Sequence, residues 1–171
     1  WPLAFIALAP WAFATERAGS GRVAFLTDFA CGFAFFVPTV FWLSRITLTA
    51  YLPVLAVCPL YVCFAGYLYR RIRRILPSAV ALPAAWVSCE MIRLLPPSAF
   101  PWGALGCAAA GWLDLAGLAS IGGPMLLTFL FGLTSGAAAD LLRSERSWKS
   151  WLGAAGAASL VALGAYFGGA L

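Results

Sequence analysis

Residues 86–102 read WVSCEMIRLLPPSAFPW. The stretch begins as an apolar helix, takes in a carboxylate and a guanidinium, and stops at a double proline. Trp86, Glu90 and Arg93 are spaced i, i+4 and i+7, which places all three on one face of a helix. Pro96 and Pro97 end that helix, because proline lacks a donor and restricts the residue before it. Phe100, Pro101 and Trp102 then close the segment with an aromatic motif. What this mixture means depends on the solvent around it.

Composition assigns that solvent to lipid. Of 171 residues, 63% are hydrophobic and 10% charged, against roughly 45–50% and about 25% in a soluble domain. A spanning helix needs about 20 mostly apolar residues. Residues 23–44, 48–69, 118–142 and 151–171 are long enough, 79–95 is slightly short, and 2–14 reads as the end of a span. The expected fold is an all-α, polytopic transmembrane helix bundle of about six spans, the first truncated. Residues 96–117, rich in Pro, Gly and Ala, are too broken for a spanning helix. They are expected to form a re-entrant or interfacial segment, tolerated in lipid only where protein or water satisfies the backbone. The chain opens at Trp1 inside an apolar run, so 1–171 is read as one transmembrane domain and as a fragment.

The net charge of +5 is distributed in short clusters between the apolar runs. Arg17 and Arg22 form one, the RRIRR run (Arg70, Arg71, Arg73, Arg74) another, and Arg143, Arg146 and Lys149 a third. These loops alternate with loops poor in cations, where Arg45 is the main exception. The positive-inside rule puts the three basic loops in the cytoplasm. Residues 96–117 and the chain end at Leu171 then lie outside. This pattern reports topology and excludes a nucleic-acid footprint. Histidine is absent, which excludes Ser-His and Cys-His catalysis and His-based zinc sites within this chain. Cys31, Cys58, Cys63, Cys89 and Cys107 lack metal-ligand spacing and read as small buried hydrophobes. No metal and no cofactor are expected.

Charges inside a spanning helix face a bundle interior or a wet cavity, which makes Glu90 the leading functional candidate. The plainer reading is a structural pair in which Glu90 holds Arg93 while the arginine snorkels toward the interface. Phe100, Trp102 and Trp42 fit an aromatic belt. Asp28 is expected to reach the interface or meet a basic side chain, and Asp114 to line a cavity or be solvated. The GLTSG run, Gly132 to Gly136, fits a close helix crossing. A small transporter with Glu90 as a proton or ion site, or a membrane scaffold without chemistry, remains one reading of these residues.

A family resemblance supplies another. WPLAFIALAPW at the start, GFAFFVPTVFWL, LPAAWVSCEMIR, AFPWGALG and LDLAGLASIGGPMLLTFL occur in this order. Together they resemble the membrane half of bacterial apolipoprotein N-acyltransferases, to about residue 142. The most specific part is Trp86, Glu90 and Arg93 with Phe100, Pro101 and Trp102. Ala99 stands where the family usually has Gly, Cys107 where it often has Tyr, and Pro96-Pro97 replaces a less constrained linker. The resemblance implies an extracytoplasmic nitrilase-like domain after residue 171, carrying a Glu-Lys-Cys triad that this chain lacks. It implies an acyltransferase in the bacterial inner membrane whose partners are a phospholipid acyl donor, a diacylglyceryl apolipoprotein and membrane lipids, without nucleic acid and as a monomer. Within 1–171 it implies no catalytic residue. Trp86, Glu90, Arg93, Phe100, Pro101, Trp102 and Trp42 are the expected lipid- or substrate-binding set, bordering a lateral opening.

Overall fold

The computed structural model describes residues 2–19, 21–96, 99–143 and 148–169. The expectations placed on Pro97, Arg146 and Leu171 lie outside the described residues. No strand occurs among those described, and the fold is the all-α membrane bundle that composition requires. Among the described residues, three helices are long and apolar enough to cross a membrane: α2 (Gly21–Thr39), α4 (Leu48–Ile72) and α7 (Ala119–Leu142). Helix α5 (Ser78–Leu94) has 17 residues, and the apolar stretch Gly153–Gly168 of α8 (Trp148–Gly168) is also shorter. The remaining helices are α1 (Ala9–Arg17) and the single turns α3 (Phe41–Ser44) and α6 (Leu113–Ala116).

Two expected spans are divided by local chemistry. Residues 2–14 do not form one helix. A 3-10 turn covers Pro2–Phe5, and α1 starts afresh with Pro10 in its first turn, where the missing N–H costs nothing. The carbonyl this break leaves open at Phe5 accepts from the hydroxyls of Thr134 (2.9 Å) and Ser135 (3.0 Å). The expected span 23–44 breaks at Val40 (φ −109°, ψ 15°), two residues after Pro38, separating α2 from α3. Between α1 and α2 the chain turns through Gly19 and Gly21, both at positive φ. Helix α7 bends near its start at Gly123 (φ 64°, ψ −172°), just before Pro124.

Helix α5 lies at the centre, against α7 on one side and α4 on the other. Helix α2 packs on α4, and α8 on α7. The α5–α7 crossing is the most extensive, and GLTSG makes it possible. A Cβ at Gly132 would stand 2.8 Å from the Cα of Pro83, and one at Gly136 2.8 Å from the Cα of Ala79. Only glycine lets the two backbones approach so far, which is how membrane helices gain packing without a hydrophobic drive between them.

The described part of residues 96–117 forms no spanning helix, in agreement with the sequence. The segment holds a 3-10 stretch, Leu105–Gly111, followed by α6. Leu105, Gly106 and Ala109 are buried against the bundle. Asp114 is exposed.

Candidate functional site

The buried face of α5 carries Trp86, Glu90 and Arg93 together, as their spacing predicts; they are 4%, 2% and 2% exposed. The Glu90 carboxylate is met by three donors from three parts of the chain. Trp86 Nε1–H donates to Oε1 from one turn below (2.9 Å), and the Leu105 N–H donates to the same oxygen (2.8 Å). The Thr128 hydroxyl donates to Oε2 (2.7 Å) and itself accepts from the Gly106 N–H (2.8 Å). A carboxylate suits this place because it offers only acceptors to a ring of donors. The arrangement also explains how an irregular segment survives in a lipid-facing fold. The N–H groups of Leu105 and Gly106, which have no partner to come from a helix ladder, are satisfied by Glu90 and Thr128.

Arg93 does not snorkel outward. Its guanidinium carbon lies 5.2 Å from the centroid of the Phe36 ring, a cation–π distance. The Arg93 carbonyl accepts the Phe100 N–H at 3.0 Å, so the end of α5 is tied directly to the aromatic motif. Phe100 packs on Trp102 (ring centroids 5.1 Å apart), and Trp102 on Trp42 (5.7 Å). Trp42 is 41% and Trp102 49% exposed, and Pro101 is exposed beside them. All seven candidate residues therefore fall into two connected layers: Trp86, Glu90 and Arg93 inside, and Trp42, Phe100, Pro101 and Trp102 as a rim. Ala99, between the layers, has φ +40°.

Below this site the polar chain continues. Trp86 meets Trp11 edge-on at 5.2 Å, and Trp11 Nε1–H donates to Asp28 (3.1 Å). Asp28 is fully buried and pairs with Arg70 at 2.7 Å, while Arg70 also donates to Thr15. Of the two expectations for Asp28, the structure selects the basic partner. A Cβ at Gly66 would overlap the Asp28 carboxylate, so that glycine makes room for the pair. A second cluster closes this end of the bundle. Arg143 pairs with Glu16 (2.6 Å) and Asp140 (2.5 Å), and donates to Ser78 Oγ (2.6 Å). Tyr69 O–H donates to Glu16 (2.5 Å), and Arg73 lies 3.6 Å from Glu16 and 3.5 Å from Asp140. Asp140 also accepts the Ala79 N–H (3.2 Å), supplying α5 with an N-terminal carboxylate that its own sequence lacks. Arg70, Arg73 and Arg143 thus converge on one end, and the aromatic rim occupies the other.

Sequence reasoning missed Thr128, Trp11, Tyr69, Glu16 and Asp140. The available signals were Asp140 in an apolar run and Thr128 as a lone hydroxyl four residues after Pro124. The free cysteines are divided between buried Cys58 and Cys89, half-buried Cys31 and Cys63, and exposed Cys107. The reading of all five as buried therefore fails at Cys107.

Fold and site define an all-helical membrane bundle with a buried carboxylate clamp beneath an aromatic rim. Comparison with known proteins narrows this class. The family model described as the apolipoprotein N-acyltransferase N-terminal domain matches residues 1–137, and the chain belongs to that family. It is 32% identical over 147 residues to an apolipoprotein N-acyltransferase of Geobacter metallireducens, covering 78% of this chain and 28% of that protein. It is 40% identical over 65 residues to one of Chromobacterium violaceum, covering 38% of this chain and 13% of the relative. The chain thus spans well under two thirds of these relatives' length. No solved structure matches it.

Proposed function

We propose that this chain is the membrane-embedded part of an apolipoprotein N-acyltransferase. It anchors the enzyme in the bacterial inner membrane and positions two lipid-bearing substrates, a phospholipid acyl donor and a diacylglyceryl apolipoprotein. The basic end faces the cytoplasm and the aromatic rim faces the periplasm, where a catalytic domain following residue 171 performs the chemistry. In that domain a cysteine thiolate attacks an acyl ester carbon of the phospholipid and expels the lysophospholipid. The thioester formed is then attacked by the α-amino group of the lipoprotein cysteine, which releases the thiolate. The residues of 1–171 hold and orient lipid and do not exchange atoms with it.

The observation that carries this reading is the coupling of Glu90 to the rim. Glu90 is sequestered and met by three donors, which suits a structural clamp better than an ion site. Through Leu105, and through Thr128 to Gly106, it anchors the segment that follows the aromatic motif. The Phe100 N–H bond to the Arg93 carbonyl ties that motif, with the exposed pair Trp42 and Trp102, to the same helix. The test is to make Trp42→Ala and Trp102→Ala in the full-length enzyme and follow N-acylation of a lipoprotein by mass spectrometry. Misplaced substrates commonly cost large factors in rate, so transfer should fall about tenfold or more with membrane levels unchanged. Wild-type rates in both variants would refute the positioning role.

A further inference from the structure

The basic end carries a feature that neither the bundle's stability nor the rim accounts for. One stripe of α4 runs Leu60, Phe64, Tyr67 and Arg71, spaced by four, three and four residues, a single helix face, and Arg74 follows in the turn just after the helix. Leu60 is 46%, Phe64 38% and Tyr67 51% exposed, and Arg71 and Arg74 are exposed. Two concavities lie along this stripe. The upper, about 260 Å³, is lined by Arg70, Arg71 and Arg74, by Tyr67, and by the Gly19 and Gly21 backbone at the start of α2. The lower, about 320 Å³, is apolar and is lined by Val57, Leu60, Tyr61, Phe64 and Ile92.

The charges in the upper pocket are unevenly balanced. Arg70 is engaged by Asp28. Among the described residues, Arg71 and Arg74 have no carboxylate within ion-pair distance. Arg71 is instead laid over the Tyr67 ring, 5.3 Å from its centroid, a contact that holds the guanidinium in the pocket's lining. Guanidinium groups so held are matched to phosphate oxygens, which they engage in pairs. The helical rise from Leu60 to Arg71 is about 16 Å, close to one leaflet of a hydrocarbon core about 30 Å thick.

From this geometry we infer a binding site for one anionic phospholipid in the leaflet at the basic end. Its phosphate is held by Arg71 and Arg74, and an acyl chain lies down the Tyr67–Phe64–Leu60 stripe into the apolar groove. The site lies at the opposite end of the bundle from the rim and does not depend on the substrate-positioning role proposed for it. A bound lipid there would brace α4 against α5 and against the turn that opens α2.

Native mass spectrometry of the full-length protein, released from micelles doped with equal phosphatidylglycerol and phosphatidylcholine, tests this. One phosphatidylglycerol should be retained in preference to phosphatidylcholine. Basic residues near an anionic surface contribute enough for about a fivefold loss of retention per arginine removed, in Arg71→Gln and in Arg74→Gln. Arg45→Gln, at the other end, should leave retention unchanged. Leu60→Trp, which fills the groove without altering charge, should also reduce it and guards against a trivial charge effect. Equal retention of the two lipids, or undiminished retention in the Arg71→Gln/Arg74→Gln double variant, would overturn the site. Displacement of the lipid by millimolar inorganic phosphate alone would overturn it too, by making the pocket a site for soluble anions.

Discussion

At the scale of single residues, Glu90 shows how a costly charge becomes a fastening. Replacing it with glutamine substitutes a donor for one acceptor, against a ring composed only of donors. Glu90→Gln should therefore destabilise the bundle by about 1–3 kcal/mol, and Glu90→Ala by more, since it strands three buried donors. Thr128→Val, nearly isosteric, removes the link between Gly106 and Glu90 and should cost about 1–3 kcal/mol, whereas Thr128→Ser should restore most of it. Thermal denaturation in detergent orders these four variants; equal midpoints for Val and Ser would show that the hydroxyl is idle. Ala99 offers the opposite sign. Its positive φ lets Phe100 N–H turn back to the Arg93 carbonyl, at a strain of about 1 kcal/mol for a residue with a Cβ. Ala99→Gly, which relieves that strain, should raise the midpoint. Glu90 was legible in the sequence because a lone carboxylate in an apolar run is conspicuous. Thr128 was not, since a hydroxyl in a spanning helix can equally bond its own backbone, as Ser88 does to the Ala84 carbonyl at 2.7 Å.

At the scale of elements, the crossing of α5 and α7 rests on two glycines, and a third glycine provides its control. A Cβ at Gly136 meets backbone of α5, which cannot rotate away, so Gly136→Ala should cost about 1–3 kcal/mol. Gly156, inside α8, has nothing within 4 Å of a built Cβ. Gly156→Ala should be neutral or gain up to about 1 kcal/mol from helix propensity. If both substitutions behave alike in unfolding assays, the close approach is not what stabilises the pair. This crossing could be read from GLTSG because small residues at four-residue spacing have a direct steric meaning. The helix breaks could not. Hydropathy runs unbroken across Pro10 and Val40, while the backbone there is decided by proline and by hydroxyls more than a hundred residues away.

At the scale of the whole molecule, the bundle is polar at one end and aromatic at the other, with Asp28, Trp11, Trp86 and Glu90 linking the two through the interior. The arginine clusters made the separation legible in the sequence, though not the carboxylates that collect them, because Glu16 is distant in the chain from Arg73 and Arg143, and Asp140 from Arg73. The proposed orientation can be tested with single cysteines in an otherwise cysteine-free background. In intact spheroplasts, a membrane-impermeant maleimide should label Arg45→Cys and spare Arg74→Cys; the reverse pattern would invert the topology. One feature reaches further. Helices α5 and α7 are joined at Ala79–Asp140, at Gly132 and Gly136, and again at Glu90–Thr128. On each helix the outer two joints are about 17 Å apart. One residue inserted between them on either helix would turn everything beyond it by about 100° and misalign the far joint. These two segments are therefore closed to insertion and deletion, and lineages of this domain can change length only in the connections around them.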